Sequence, residues 1–129
     1  MTYYISKKLK GVTFDEAKEK VTEALKDEGF GILTEIDVKS TLKNKLDVDF
    51  KPYHILGACN PLYAHQALKS EDYIGLMLPC NVIVKQEADH IDVAVVDPLA
   101  SMQAVENERL EMIALEIRNK LKTVIESLE

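Results

Sequence analysis

The residues with the clearest chemical potential are two cysteines, each followed by an asparagine. The first pair is Cys59-Asn60 and the second is Cys80-Asn81. A thiolate is a nucleophile and a ligand for soft metals, and an asparagine amide both donates and accepts hydrogen bonds. The two pairs therefore predict a site for a small molecule or an ion, with Cys59, Asn60, Cys80 and Asn81 as its ligand-binding residues.

Cys59 is the candidate catalytic residue. Asn60 and Pro61 have the residue types of an N-cap and first helical position, so Cys59 comes directly before a helix predicted over residues 61–70. The partial positive charge at a helix N-terminus favours a thiolate, and the free amides there suit an anionic group. Cys59 is therefore the better candidate for a reactive thiol.

Cys80 has a different predicted environment. It shares strand parity with Leu78 and Val82, which favours a position in the core. Pro79 cannot donate to a strand ladder, so it marks an edge or a bulge within a predicted fourth strand over residues 76–86. Free cysteines are often buried and only pack, so a structural role for either thiol stays open.

The two cysteines are expected to meet in space. A helix connects the predicted third strand, residues 53–59, to the fourth, which allows both strands to join one sheet. Adjacent strands lie about 4.8 Å apart, so Cys59 and Cys80 should face a common region. This leaves two alternatives to ligand binding: a thiol-based enzyme or redox protein that uses Cys59 with Cys80, and a purely structural or interaction module.

Other chemical patterns are weaker. The three histidines, His54, His65 and His90, lack metal-site spacing, and the sequence has no Cys-x-x-Cys motif, so no metal site is predicted. No motif indicates a cofactor. Glu35 and Asp37 lie two residues apart on a predicted strand, where paired carboxylates can perform acid–base chemistry. A solvated face, with Asp37 capping a short helix, is the more common arrangement.

Charge and hydropathy exclude several classes of partner. Sixteen basic residues against 22 acidic ones give a net charge of −6. Such a domain repels a phosphate backbone, so nucleic acid is not an expected partner. No apolar run approaches the roughly 20 residues that span a bilayer, and the first residues do not resemble a signal peptide. We expect a cytoplasmic protein without a membrane partner, whose cysteines are thiols.

The apolar spacing predicts alternating strands and helices. Strands are predicted over Tyr3–Lys8, Phe30–Val38, Tyr53–Cys59, Leu76–Gln86 and Ile91–Val96. Helices are predicted from Thr13 to Gly29, after Asp37, from Asn60 to Ser70, and from Asp97 onward. This order predicts an α+β fold, a two-layer α/β sandwich of about five mostly antiparallel strands with helices packed on one face. No linker or repeat interrupts residues 1–129, which we interpret as one domain.

The predicted strands carry apolar residues on both faces. Neighbours such as Ile55 and Leu56, or Val82 and Ile83, point to opposite sides of a sheet. One helical layer covers a single face, so the other face would expose an apolar patch. We therefore predict a homodimer through the sheet face away from the C-terminal helix, burying well above roughly 1,000 Å².

Four segments carry a distinctive combination of residues: Phe30–Val38, Ile55–Pro61 with Ala64 and Leu68, Leu78–Val82, and Val96–Pro98 with Met102. Together they resemble domain-of-unknown-function family 302. The combination of both Cys-Asn motifs is specific, and the similarity extends over nearly the whole chain. The resemblance implies a compact α/β domain that assembles as a homodimer. It implies no reaction, because the family has no established one.

Overall fold

Five strands form one antiparallel sheet in the computed structural model, which describes residues 2–129. The strands are β1 Tyr4–Leu9, β2 Gly31–Asp37, β3 Tyr53–Cys59, β4 Cys80–Gln86 and β5 Ile91–Val96. Their order across the sheet is β1-β5-β4-β3-β2, which places β2 and β1 at the two edges. With helices packed on this sheet, the structure confirms the predicted α+β class.

Five α-helices and one 3₁₀ helix accompany the sheet. The α-helices are α1 Phe14–Asp27, α2 Val38–Leu46, α3 Pro61–Ser70, α4 Pro98–Ser101 and α5 Glu108–Glu126, and the 3₁₀ helix is Asp72–Met77. Helices α1 and α5 pack against each other and against the central strands, while α3 packs on α5. This arrangement leaves α1 and α5 as the main cover of the sheet.

The helix boundaries follow the capping signals in the sequence. Thr13 begins α1 with a capping box, because its hydroxyl accepts from the Glu16 amide at 3.1 Å and the Glu16 carboxylate accepts from the Thr13 amide at 3.0 Å. Gly29 follows α1 at a φ of 86°, a conformation that favours glycine. Asp37 accepts from the Ser40 amide at 3.0 Å and begins α2. All three predictions are confirmed.

The face of the sheet that the helices cover is called the inner face. At its centre lie Leu56, Val82, Val84, Val93 and Val95, each at most 2% exposed. The apolar stripe of α5 belongs to the same core: Leu110, Ile113, Ala114, Ile117, Leu121, Val124 and Ile125. The residues between these strand positions form the outer face, which includes Tyr4, Ile36, Ile55, Ile83, Ala94 and Val96.

Two predictions about the fourth strand are wrong. The strand begins at Cys80, because residues 72–77 form the 3₁₀ helix instead of extending the ladder back to residue 76. Pro79 lies before the strand and not in a bulge within it. The physical reason is that proline has no amide to donate, so the first residue that pairs with β3 is Cys80, opposite Ala58.

The irregular pairing in the sheet lies in β2 and not in the fourth strand, where Pro79 predicts it. The pairing of β2 with β3 shifts between Ile32 and Thr34, which leaves Leu33 without a partner in the ladder. Thr34 and Pro79 both approach Gly57 closely. A Cβ atom at Gly57 would overlap Thr34 Oγ1 and lie 2.7 Å from Pro79 Cγ. Glycine is therefore required at this point by space and not by backbone conformation.

Candidate functional site

Cys59 and Cys80 line one small cavity where β3 and β4 lie side by side. Cys80 pairs with Ala58, so Cys59 is one residue beyond the pair on the adjacent strand. The remaining wall residues are mostly apolar: Phe30, Ala58, Asn60, Ala64, Ala67, Leu78, Pro79 and Ile117. This thiol cavity has a volume of about 20 Å³, which holds about one water molecule. It is too small for a metabolite.

The two thiols differ in exposure and therefore in chemistry. Both are free, but Cys80 is 5% exposed while Cys59 is half-buried. Burial, with a smaller contribution from Cys59, raises the pKa of the Cys80 thiol to about 11. Cys80 is therefore protonated at neutral pH and is a weak nucleophile. A redox mechanism that uses both cysteines would need Cys59 as the attacking thiol.

Asn60 occupies the N-cap position of α3, but its side chain does not cap that helix. Its Nδ2 donates instead to the carbonyl oxygen of Glu28 at 3.4 Å, at the end of α1. The last carbonyls of a helix lack donors within the helix, and the Asn60 amide supplies one. Asn60 and Pro61 thus occupy the predicted N-cap and first helical positions, but α3 begins beside Cys59 without a side-chain acceptor for its first amides.

Asn81 lies in a different part of the molecule. It is exposed on the outer face, in an open groove of about 750 Å³ that we call the outer groove. The walls of the groove are apolar and aromatic over much of their area and include Tyr4, Phe50, Tyr53, Leu76, Met77 and Ile83. The four predicted ligand-binding residues thus divide between two places, since Cys59, Asn60 and Cys80 line the thiol cavity.

Ion pairs occupy one end of the outer groove. Glu87 accepts from Lys51 Nζ at 2.8 Å and from Lys85 Nζ at 3.1 Å, and Lys85 Nζ lies 3.5 Å from Asp92 Oδ2. The hydrogen bonds from Lys51 and Lys85 lower the pKa of Glu87 to about 2. This cluster is not among the predicted sites; its signal is the register of β4 and β5, which places Lys85 opposite Asp92.

The carboxylates Glu35 and Asp37 are engaged with neighbours on the inner side of β2. His54 lies between them, with Nδ1 2.9 Å from Glu35 Oε1 and Nε2 3.5 Å from Asp37 Oδ2. Lys18 of α1 also pairs with Glu35, and this hydrogen bond is the main cause of the lowered pKa of Glu35. Because each carboxylate has internal partners, the cluster ties β2 to β3 and α1.

Two further observations concern the described part of the chain, residues 2–129. Within it, no three His, Cys, Asp or Glu side chains are grouped so as to hold a metal ion. None of its helices combines the length and the apolar character needed to cross a membrane.

Comparisons with known proteins agree with this architecture. A crystal structure of an uncharacterized conserved protein DUF302 from Bacillus stearothermophilus is 28% identical, covers 100% of both chains and superimposes with a TM-score of 0.92. No curated protein matches the chain. The family model for the domain of unknown function DUF302 matches residues 5–128. The chain therefore belongs to the DUF302 family.

Proposed function

We propose that the protein is a homodimer that binds a small molecule in the outer groove. The observation that carries this proposal is the groove itself, whose volume of about 750 Å³ lies within the range of small-molecule sites. Such sites combine apolar and aromatic walls with a few polar groups. Phe50 and Tyr53 supply aromatic surface, and Asn81 supplies an amide that donates and accepts.

The dimer is supported by the apolar side chains that the outer face and its rim leave exposed. The exposed fraction is 45% for Tyr4, 48% for Ile36, 82% for Leu76 and 42% for Met77. An apolar patch of this kind marks an interaction surface. A second copy is the simplest partner, because a two-fold axis lets one patch cover itself and requires no other protein.

The two parts of the proposal are compatible because the groove is concave. Contact between the apolar rims of two copies would close the groove of each and exclude water from the ligand. The two lysines at its end are already paired, since Lys51 and Lys85 both contact Glu87. We therefore expect a ligand with an apolar, aromatic-sized body and an uncharged polar group that contacts Asn81.

A thermal-shift screen of neutral aromatic compounds tests the ligand. A true ligand should raise the melting temperature of the wild type, and the rise should be reduced in Asn81→Ala. The matched control is Asn119→Ala, at an exposed asparagine on α5 away from the groove, which should respond as the wild type does. If the compounds raise the melting temperature of Asn81→Ala as much as that of the wild type, the assignment of the outer groove as the binding site is contradicted. A dimer that binds none of the compounds would favour an interaction module.

A further inference from the structure

We propose that Cys59 and Cys80 together bind one soft monovalent cation, Cu⁺ or Ag⁺, in the thiol cavity. This site is separate from the outer groove and does not depend on the proposed function. The proposal gives a role to Cys59 and Cys80, neither of which lines the outer groove.

The size and lining of the cavity suit an ion. Its volume of about 20 Å³ admits one small particle, and both cysteines are among the residues that line it. A buried water needs two to four polar partners. Besides the two thiols, the only polar side chain in the wall is Asn60, whose amide already donates to Glu28. The cavity therefore has too few hydrogen-bond partners to hold a water molecule well, but it has two potential ligands for an ion that binds sulfur.

The number and type of ligands select the ion. Thiolates prefer soft metals. Structural zinc requires four ligands, and residues 2–129 contain no group of three side chains suited to hold a metal. A two-coordinate site with only sulfur donors remains, which suits a monovalent ion with a filled d shell. The ion has an entry path through Cys59, which is half-buried, whereas Cys80 is the closed end of the site.

Binding exchanges protons for the ion without a change of oxidation state. Both S–H bonds break, two protons leave to solvent, and two metal–sulfur bonds form, so the site changes from neutral to a net charge of −1. Burial opposes the loss of the Cys80 proton in the free protein, and the ion compensates for this cost. The N-terminus of α3 lies beside Cys59 without a side-chain cap, and its partial positive charge stabilises the anionic product.

The test is an anaerobic titration of the reduced full-length chain with Cu⁺ in competition with a coloured Cu⁺ chelator. We expect one Cu⁺ per chain, release of two protons for each ion, and a new ultraviolet thiolate-to-copper absorption. Zn²⁺ should not compete. A wild type that removes no Cu⁺ from the chelator, or that binds Zn²⁺ equally well, would overturn the proposal.

Single variants locate the site. Cys59→Ser and Cys80→Ser should each weaken Cu⁺ binding by more than about 100-fold. Loss of a residue that only contacts a metal ligand weakens binding by at most about that factor. The control Met112→Leu removes a sulfur that is 67% exposed on α5 and should bind as the wild type does. Because Cys59 is half-buried, Cys59→Ser keeps the test valid even if Cys80→Ser does not fold. Unchanged binding by Cys59→Ser would overturn the proposal, as would a chain that forms a disulfide with peroxide and binds no Cu⁺ when reduced.

Discussion

The two faces of the sheet are built from neighbouring residues of the same strands, yet they differ in almost every property. Leu56 on the inner face is 1% exposed, whereas Ile55, the residue before it, lies half-buried on the outer face. None of the buried side chains among residues 2–129 is polar or charged. The outer face carries both apolar side chains and the ion pairs around Glu87.

The difference between the faces separates two roles of apolar residues. The inner face is apolar because it must pack against α1 and α5. The outer face lies on the side away from α1 and α5, and its side chains Tyr4 and Ile36 remain almost half exposed. Apolar residues that a chain does not bury within itself need another explanation, and the outer groove and a second copy provide one.

The largest expected effect compares the two faces within one strand. Leu56→Ala removes a fully buried side chain and should lower the free energy of unfolding by about 2–5 kcal/mol. Ile55→Ala should cost less than about half as much, because less apolar area returns to water. Chemical denaturation at one protein concentration measures both. Equal losses would show that the outer face is packed as tightly as the inner one.

The second prediction tests the close contact across the bulge. Gly57→Ala would place a Cβ against Thr34 and Pro79, and we expect a loss of about 1–3 kcal/mol in the free energy of unfolding. Gly31→Ala is the matched control on the neighbouring strand, since no atom lies within 4 Å of its new Cβ. The control should change stability by no more than about 0.5 kcal/mol. A neutral Gly57→Ala would contradict the described packing.

The smallest effect concerns the charges of the outer groove. The pKa of Glu87 falls from its usual 4.5 to about 2 through Lys51 and Lys85, so the folded chain binds fewer protons than the unfolded chain between these values. The resulting stabilisation is complete above about pH 4.5 and is lost as the pH falls through about 2. Glu87→Gln should therefore make the melting temperature fall less steeply over this range.

Salt provides the control for the Glu87 prediction. At 1 M ionic strength the screening length is about 3 Å, so exposed ion pairs contribute little. Wild type and Glu87→Gln should then show nearly the same dependence of melting temperature on pH. A slope that is identical in both proteins at low salt would contradict the ion-pair cluster.

The fold follows from local signals in the sequence to a large extent. The capping box at Thr13 and the glycine at position 29 fix the two ends of α1, and the predicted bounds of β3 and β5 match those of the structure. The start of β4 was misplaced because apolar residues 76–78 continue the strand pattern, while the ladder ends where Pro79 lacks an amide. The end of a strand depends on pairing with a neighbouring strand, and the local sequence pattern carries no information about that neighbour.

The candidate site was predictable only in part. Strand pairing brings Cys59 close to Cys80, but Cys59 has the opposite strand parity to Ala58 and Cys80, so a regular strand does not predict that both line one cavity. The Asn60 side chain donates to the Glu28 carbonyl at the end of α1 and makes no hydrogen bond to α3, a contact that the local sequence does not reveal. Contacts between segments that are distant in sequence decided both outcomes.

The most direct test of the account is the molar mass in solution, measured by light scattering at micromolar concentration. We predict twice the chain mass of 14.5 kDa for the wild type. Leu76→Asp, at the exposed rim of the outer groove, should shift the mass to that of a single chain, whereas Leu115→Asp, at an exposed leucine on α5, should leave a dimer. A wild type of 14.5 kDa, or a dimer that only Leu115→Asp dissociates, would contradict the assignment of the outer face as the interface.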